Sequence, residues 1–320
     1  MTVADSLTAA EIAAQPDAWR RAVREARAAV AGGPLADALP RPGERVAVTG
    51  CGTSWFMALA YAALREASGQ GETDAFAASE FPVDRAYDRV VAISRSGTTT
   101  EVADLLTALR TRWPGLPLLA LSADGDSPVA AAAGRVAVLD WADERSVVQT
   151  VFATTALTFL RAALPADGTA VADGTAVGEG AALASVADAE AALAAPLPDA
   201  ALAAGQWTFL GAGWSYGLAL EAALKMREAA GGWTEAYPSM EYRHGPISIA
   251  GPGRVVWLFT PAPEGVAERV RSAGASLWGP AQGDPLASLV AAQRLAVAVA
   301  GARGLDPDRP RGLTRSVILP

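Results

Sequence analysis

The sequence predicts an α/β protein made of two related units, each with a parallel sheet. Three observations carry this. Short apolar runs that suit buried strands, RVAVTG (45–50), RVVAIS (89–94), LPLLALS (116–122) and RVAVLD (135–140), alternate with longer helical stretches. The alternation restarts with WTFLG (207–211) and RVVWLFT (254–260). Finally, TGCGTSWFMALAYAAL (49–64) aligns without gaps on LGAGWSYGLALEAALK (210–225). Gly50, Gly52, Ser54, Ala58, Leu59 and Ala62 match Gly211, Gly213, Ser215, Ala219, Leu220 and Ala223. Strand, Gly-x-Gly-x-Ser and helix recur in both copies, which points to a duplicated domain.

Taken in order, residues 8–31 read as a leading helix with Arg20, Arg21, Arg24 and Arg27 on its solvated side. The strand at 45–50 runs through a Gly/Ser turn into a helix at about 55–67. The strand at 89–94 passes through RSGTTT into a second helix, and a long helix is expected over about 146–163. PADGTAVADGTAVGEG (165–180) contains ADGTAV twice and reads as a linker. In the second unit, helices are expected at about 215–230 and from about Gly265, and LAVAVAGARG (295–304) belongs to the last one. The expected boundaries are an N-terminal helix (1–31), a first subdomain (32–164), a linker with a connecting helix (165–195), a second subdomain (196–304) and a tail (305–320).

Composition bounds the function. Of 320 residues, 51% are hydrophobic and 19% charged, which suits a folded chain with a large core. The net charge of −8, without a dense Lys/Arg run, argues against nucleic acid and anionic membrane as partners. An anionic ligand would have to be held by local backbone dipoles. The single cysteine excludes an intrachain disulfide, and with a single histidine a structural zinc site is not expected. No cofactor is expected. The N-terminus lacks a signal-peptide pattern, and no uninterrupted apolar run is long enough to span a membrane, so a cytoplasmic location is expected.

Two loops have the chemistry to hold an anion. G-C-G-T-S (50–54) lies between strand and helix, where glycines let backbone N–H groups approach a ligand and the helix N-terminus adds partial positive charge. Trp55 stands where a dinucleotide fingerprint needs glycine, and no Gly-Lys-Ser/Thr follows, so neither NAD nor a Walker A loop is indicated. Cys51 lies near a helix N-terminus, which lowers a thiol pKa, but no base accompanies it and it reads as a small loop residue. S-R-S-G-T-T-T (94–100) offers Ser94, Ser96 and Thr99 to phosphate oxygens. Its Arg95 either adds charge or faces solvent, and the whole loop also reads as an ordinary N-cap. Both loops follow strands of a predicted parallel sheet, at the edge where such sheets bind ligands.

The stretch ALEAALKMREAAGGWTEAYPSMEYRHGP (219–246) holds the only lysine, Lys225, and the only histidine, His244. On a helix, Glu221, Lys225 and Glu228 fall at i, i+4 and i+7, on one face. A solvated ion-paired stripe is the plain alternative. Against it, the flanking Leu218, Ala222, Leu224 and Ala229 leave only a narrow polar strip, and arginine supplies every other cationic side chain. Lysine suits a site that needs a compact, tunable ammonium. His244 lies in a Gly-Pro turn and is the one side chain whose ordinary pKa is near neutrality.

These motifs together resemble the sugar isomerase (SIS) domain family, and in particular the isomerase half of glucosamine-6-phosphate synthase. E-I-A-A-Q-P (11–16) is similar to the family's entry motif, and G-C-G-T-S and S-R-S-G-T-T to its phosphosugar loops. E-R-S-V-V-Q-T (144–150) is similar to the next binding segment, 219–246 to the catalytic segment, and L-D-P-D-R-P-R-G-L-T-R-S-V (305–317) to the C-terminal tail. The resemblance implies two tandem three-layer α/β/α sandwiches of flavodoxin-like or Rossmann-like kind, with the tail over the active site. It implies phosphate held by Ser54, Ser94, Ser96 and Thr99 with N–H groups of Gly52 and Thr53. Cys51, Arg95, Val147, Gln149 and Arg315 join the substrate-binding set. Glu228 is implied as the base that moves a proton between C2 and C1, His244 as the ring-opening group donated across a homodimer, and Lys225 as the cation beside the developing oxyanion.

The ligand so implied is a small phosphosugar. Three departures shape the expectation. No glutamine-hydrolysing domain or N-terminal cysteine nucleophile precedes these motifs, so glutamine is not the expected nitrogen source. Arg315 stands where the synthase tail has lysine, and Gln149 where serine is usual. The expectation is therefore a hexosamine-6-phosphate isomerase/deaminase. The alternatives are a fructosamine-6-phosphate deglycase, which a larger pocket beyond C1 would favour, and a non-catalytic phosphosugar regulator.

Overall fold

A computed structural model describes residues 6–165, 176–279 and 283–319. The first ADGTAV and most of the second lie outside the described residues. The chain divides into two compact units. One comprises Asp17–Glu144, Val151–Ala184 and Thr314–Pro320, and the other Met1–Pro16, Arg145–Thr150 and Ser185–Leu313. They are called here the loop unit and the helix unit.

The loop unit carries a parallel sheet of β1 (Val46–Gly50), β2 (Thr73–Ala77), β3 (Arg89–Ile93), β4 (Leu118–Ser122) and β5 (Val136–Val138), in the order β2-β1-β3-β4-β5. Its helices include α2 (Thr53–Ala67), α3 (Thr100–Arg112), α4 (Pro128–Ala133) and α5 (Val151–Ala162), while the leading helix α1 (Leu7–Val30) crosses the division after Pro16. β1, β3 and β4 are buried along their whole length, as continuous apolar runs in a covered parallel sheet should be. Ala47, Val90, Ala92, Leu118 and Ala120 pack with Val102, Leu105, Leu106 and Leu109 of α3 and Val129 of α4. Alternation leaves Val48, Val91 and Leu119 on the opposite face, also buried. The strand order reverses direction between β1 and β3, the switch point where such sheets open a ligand crevice at their carboxyl ends.

The helix unit repeats the pattern on a smaller scale. Its sheet holds β6 (Gln206–Gly211), β7 (Trp233–Pro238), β8 (Arg254–Leu258) and β9 (Ser276–Trp278), parallel and ordered β7-β6-β8-β9. α6 (Gly178–Ala194) crosses the division, and α7 (Asp199–Leu202), α8 (Ser215–Ala230), α9 (Val266–Ser272) and α10 (Pro285–Ala302) follow. Leu210, Val256 and Leu258 pack on Val266 and Val270 of α9. α8 packs against α10, which is long and apolar enough to cross a membrane but is mostly buried in this unit.

The long helix expected over 146–163 is shorter, because α5 begins at Val151. The buried Glu144 carboxylate accepts from the Val151 N–H at 2.8 Å and the Phe152 N–H at 3.3 Å. An acid there satisfies donors that the first turn of a helix leaves open. Residues 145–150 form a loop of the helix unit instead: Glu11 accepts from the Arg145 N–H (2.6 Å), the Ser146 N–H (3.2 Å) and the Ser146 hydroxyl.

Candidate functional site

Each unit presents its chemistry where a strand ends and a helix begins. In the loop unit, β1 ends at Gly50 and α2 starts at Thr53, with Gly52 at φ 55 and ψ −124. That backbone conformation is open to glycine and strained for side chains. Thr53 and Ser54 are buried on the first turn of α2. Cys51 lies between the glycines, and its thiol donates to Glu101 Oε2 at 3.7 Å. Burial first, and then the Glu101 carboxylate, push this thiol up to about 11. The lowering expected from the helix N-terminus is reversed, because desolvation and a neighbouring anion both disfavour the thiolate. Cys51 is thus a loop residue and not a nucleophile poised for attack.

The second loop follows β3. Gly97, at φ 64, packs so closely on α4 that an added Cβ would lie 2.0 Å from Ser127 Oγ. Ser127 in turn caps α4 by accepting from the Ala130 N–H. Thr99 occupies the N-cap position of α3 yet makes no side-chain cap bond, so the plain capping explanation fails for this hydroxyl. Ser94 is buried. Arg95 does not face solvent: it is 6% exposed, its Nη1 lies 3.6 Å from Glu144 Oε2, and its Nη2 donates to the Arg315 carbonyl at 2.9 Å.

The tail lies along this loop. Ser96 donates to Ser316 Oγ at 3.1 Å, and the Thr98 hydroxyl donates to the same atom at 2.9 Å. The Thr100 N–H donates to the Val317 carbonyl at 3.3 Å, and the Leu319 N–H to Thr100 Oγ1 at 2.9 Å. Arg315 itself pairs with Asp143.

In the helix unit, β6 leads through G-A-G-W-S into α8, with Gly213 at φ 53. Ser215 closes the turn, accepting from the Ala212 N–H and donating to the Ala212 carbonyl. One face of α8 then carries a buried charge cluster. Lys225 is 1% exposed, its ammonium lies 3.4 Å from Glu221 Oε1, and it pairs directly with Glu228. Glu221 is as buried as the lysine, whereas Glu228 remains 18% exposed. The solvated-stripe reading of this face is therefore wrong. The ammonium is thus held between one enclosed carboxylate and one that water partly reaches.

His244 follows the short turn Glu241–Arg243 after β7, with its side chain exposed. Tyr242, fully buried, anchors that turn beneath it. The 145–150 loop is held by Glu11 and by the Asp308 carbonyl, which accepts from the Val147 N–H at 3.4 Å. In it the Gln149 amide nitrogen is buried without a hydrogen-bond partner among the described residues. Such a donor is costly unless something else satisfies it.

No protein-family model matches the chain. The glutamine–fructose-6-phosphate aminotransferase (isomerizing) of Gloeobacter violaceus is 31% identical over 316 residues, covering 86% of this chain and 52% of that protein. The chain thus spans about half the length of this relative. The resemblance to the sugar isomerase family holds. Solved structures carry the same fold. The glucosamine-6-phosphate deaminase of Thermotoga maritima has a TM-score of 0.76 at 23% identity, covering 98% of this chain and 100% of its own. The tagatose-6-phosphate ketose/aldose isomerase of Escherichia coli has a TM-score of 0.77 at 20% identity, covering 100% of this chain and 98% of its own.

Within this fold, the loop unit gathers Cys51, Gly52, Thr53, Ser54, Ser94, Arg95, Ser96, Thr99 and Arg315. The helix unit gathers Val147, Gln149, Lys225, Glu228 and His244. Sequence reasoning missed the supports. Asp308 accepts from the Leu7 and Thr8 N–H groups, both at 2.8 Å, and from the Thr8 hydroxyl at 2.7 Å. Glu11 and Glu144 were visible only as members of motifs, with nothing to show what they hold.

Proposed function

We propose that the protein is a phosphosugar aldose–ketose isomerase, acting on a hexosamine 6-phosphate and releasing ammonia, with Glu228 as the C2/C1 proton-transfer base. The observation that carries this reading is the buried Glu221–Lys225–Glu228 cluster, which orients one accessible carboxylate beside an ammonium. Glu228 takes the C2 proton of the open-chain sugar and returns it to C1, and Lys225 stabilises negative charge developing on the sugar oxygen. Water then adds to the C2 imine, the C–N bond breaks, and ammonia leaves with a ketose phosphate behind. Ser54, Ser94, Ser96 and Thr99, with the Gly52 and Thr53 N–H groups, hold the phosphate, and the open φ of Gly52 suits that close approach. Val147 and Gln149 contact the sugar, for which the orphaned Gln149 donor speaks. His244 opens the ring from the partner subunit of a homodimer.

The names of the relatives support this class of chemistry: an isomerizing aminotransferase, a deaminase and a ketose/aldose isomerase. We also read the two units as copies of one ancestral α/β unit, on the shared Gly-x-Gly-x-Ser turns and strand orders. A poor superposition of β1–α2–β3 on β6–α8–β8, beyond about 3 Å, would count against this, since packed elements of one fold keep tighter geometry.

The test is a panel of hexosamine and hexose 6-phosphates assayed for ammonia and for ketose. Glu228→Gln should lower kcat by roughly 10²–10⁴-fold, the usual worth of a positioned base. Mixing inactive Glu228→Gln with inactive His244→Asn should restore about a quarter of wild-type activity, because half the random dimers carry one intact site of two. No turnover across the panel, or an undiminished Glu228→Gln, would sink the enzymatic reading. An absence of rescue would sink the shared histidine.

A further inference from the structure

Across the 94–100 loop of the loop unit, the tail brings a third hydroxyl to two that the loop already holds together. Ser96, Thr98 and Ser316 are each half-buried, and their oxygens lie within 3.1 Å of one another. Thr98 supplies a bond to each serine: its N–H donates to Ser96 Oγ at 3.2 Å, and its hydroxyl donates to Ser316 Oγ at 2.9 Å. A hydroxyl has one proton and rotates to suit its acceptor. Ser96 gives its proton to Ser316, whereas Ser316 gives its own to no acceptor among the described residues. The Ser316 proton thus points away from the two groups that donate to it, and accepting their bonds strengthens it as a donor.

The charges nearby make such neutral donors matter. The loop's one cation, Arg95, is turned to the Glu144 carboxylate and the Arg315 carbonyl. Arg315 pairs with Asp143. Both guanidinium groups are therefore committed, and an anion at this loop relies on hydroxyl and N–H groups. A phosphate carries three strong acceptor oxygens. Two serine protons on oxygens 3.1 Å apart can both turn to one such group, while Thr98 keeps each serine oxygen supplied with a bond.

We propose that Ser316 is a phosphate-binding residue: the tail hydroxyl joins Ser96 in holding the 6-phosphate of the sugar, and Thr98 orients both. This rests on the reading of the 94–100 loop as the phosphate site. As phosphate enters, Ser96 turns its proton from Ser316 to the anion, and Ser316 donates beside it. Thr98 keeps its bonds to both serines. Only hydrogen bonds are exchanged, so the tail serine acts on affinity and not on the chemical step.

The probes are inorganic phosphate, titrated by calorimetry, and glucosamine 6-phosphate, followed by turnover. Ser316→Ala should raise the Kd of phosphate and the KM of the sugar together by roughly tenfold, the usual worth of a hydrogen bond to a charged group, with kcat held. Ser316→Thr keeps the hydroxyl and should restore both. Thr100→Val removes the acceptor of the Leu319 N–H, which loosens the tail without touching the three hydroxyls. It should leave the phosphate Kd within about twofold of wild type. An unchanged phosphate Kd in Ser316→Ala overturns the proposal, and weakened binding in Ser96→Ala would then leave the phosphate reading of the loop standing. A Thr100→Val as weak as Ser316→Ala overturns it as well, because docking of the tail would explain the loss. A wild-type protein that binds neither probe removes both readings together.

Discussion

Replacing Lys225 by methionine keeps most of the side-chain volume and removes the ammonium from a site that is 1% exposed. What remains is the Glu221 carboxylate, equally enclosed, whose counter-charge had been 3.4 Å away. At an effective dielectric constant of about 20, that separation corresponds to about 5 kcal/mol of attraction. Part of it is returned, because the lysine no longer has to be desolvated. Broken buried pairs in general cost about 3–5 kcal/mol. Glu228 adds less, since its partial exposure lets water replace the cation. Lys225→Met should therefore unfold at distinctly lower denaturant, with a loss of about 3–5 kcal/mol. The second substitution decides the cause. Glu221→Leu in the Lys225→Met background removes the enclosed carboxylate and should recover at least half of the loss. Denaturation followed by circular dichroism measures both. If Lys225→Met lies within about 1 kcal/mol of wild type, or if the added leucine recovers nothing, the cluster is not an enclosed ion pair and its orienting effect on Glu228 goes with it.

Gly97→Ala combines a positive-φ penalty with a Cβ that would lie 2.0 Å from Ser127 Oγ, at a cost of about 2–4 kcal/mol. It should lower Tm and abolish protection of the protein by phosphosugar in thermal melts. An unchanged Tm would show that the 94–100 loop does not need its tight fit. The Cys51 thiol, pushed up to about 11 by burial and by Glu101, holds about a hundredfold less thiolate at pH 8 than at its ordinary value of 9.0. Alkylation by iodoacetamide should be correspondingly slow and should still be rising tenfold per pH unit near pH 10, whereas rapid reaction at pH 8 would contradict the buried, anion-flanked setting.

What could be seen in the sequence follows from burial. β1, β3, β4, β6 and β8 are interior strands covered on both faces, and their apolar runs announce them. The strands that escaped, β2 (TDAFA), β7 (WTEAYP) and β9 (SLW), lie at or next to sheet edges and mix polar with apolar residues. Half-covered strands of mixed character have little pattern that a loop lacks, whereas β5, also at an edge, was legible through its apolar Val136–Val138 run. The site divides the same way. Its loops were legible because turns at a strand's end demand glycine and hydroxyls locally, as Gly52 and Gly97 do. Its supports were not, because Asp308 and the Leu7 and Thr8 amides that it caps are about 300 residues apart in the chain.

Lys225 is the instructive case. In a chain that uses arginine for every other cationic side chain, the exception marks a position suited to a compact ammonium. The structure supplies the reason: a space closed to solvent, with an acid one turn earlier and another three residues on, both within reach of a single nitrogen. A planar fork spreads its charge over three nitrogens and would have to turn toward one acid or the other. An ammonium need not choose, and it is this indifference to direction that lets one cation neutralise Glu221 while presenting Glu228.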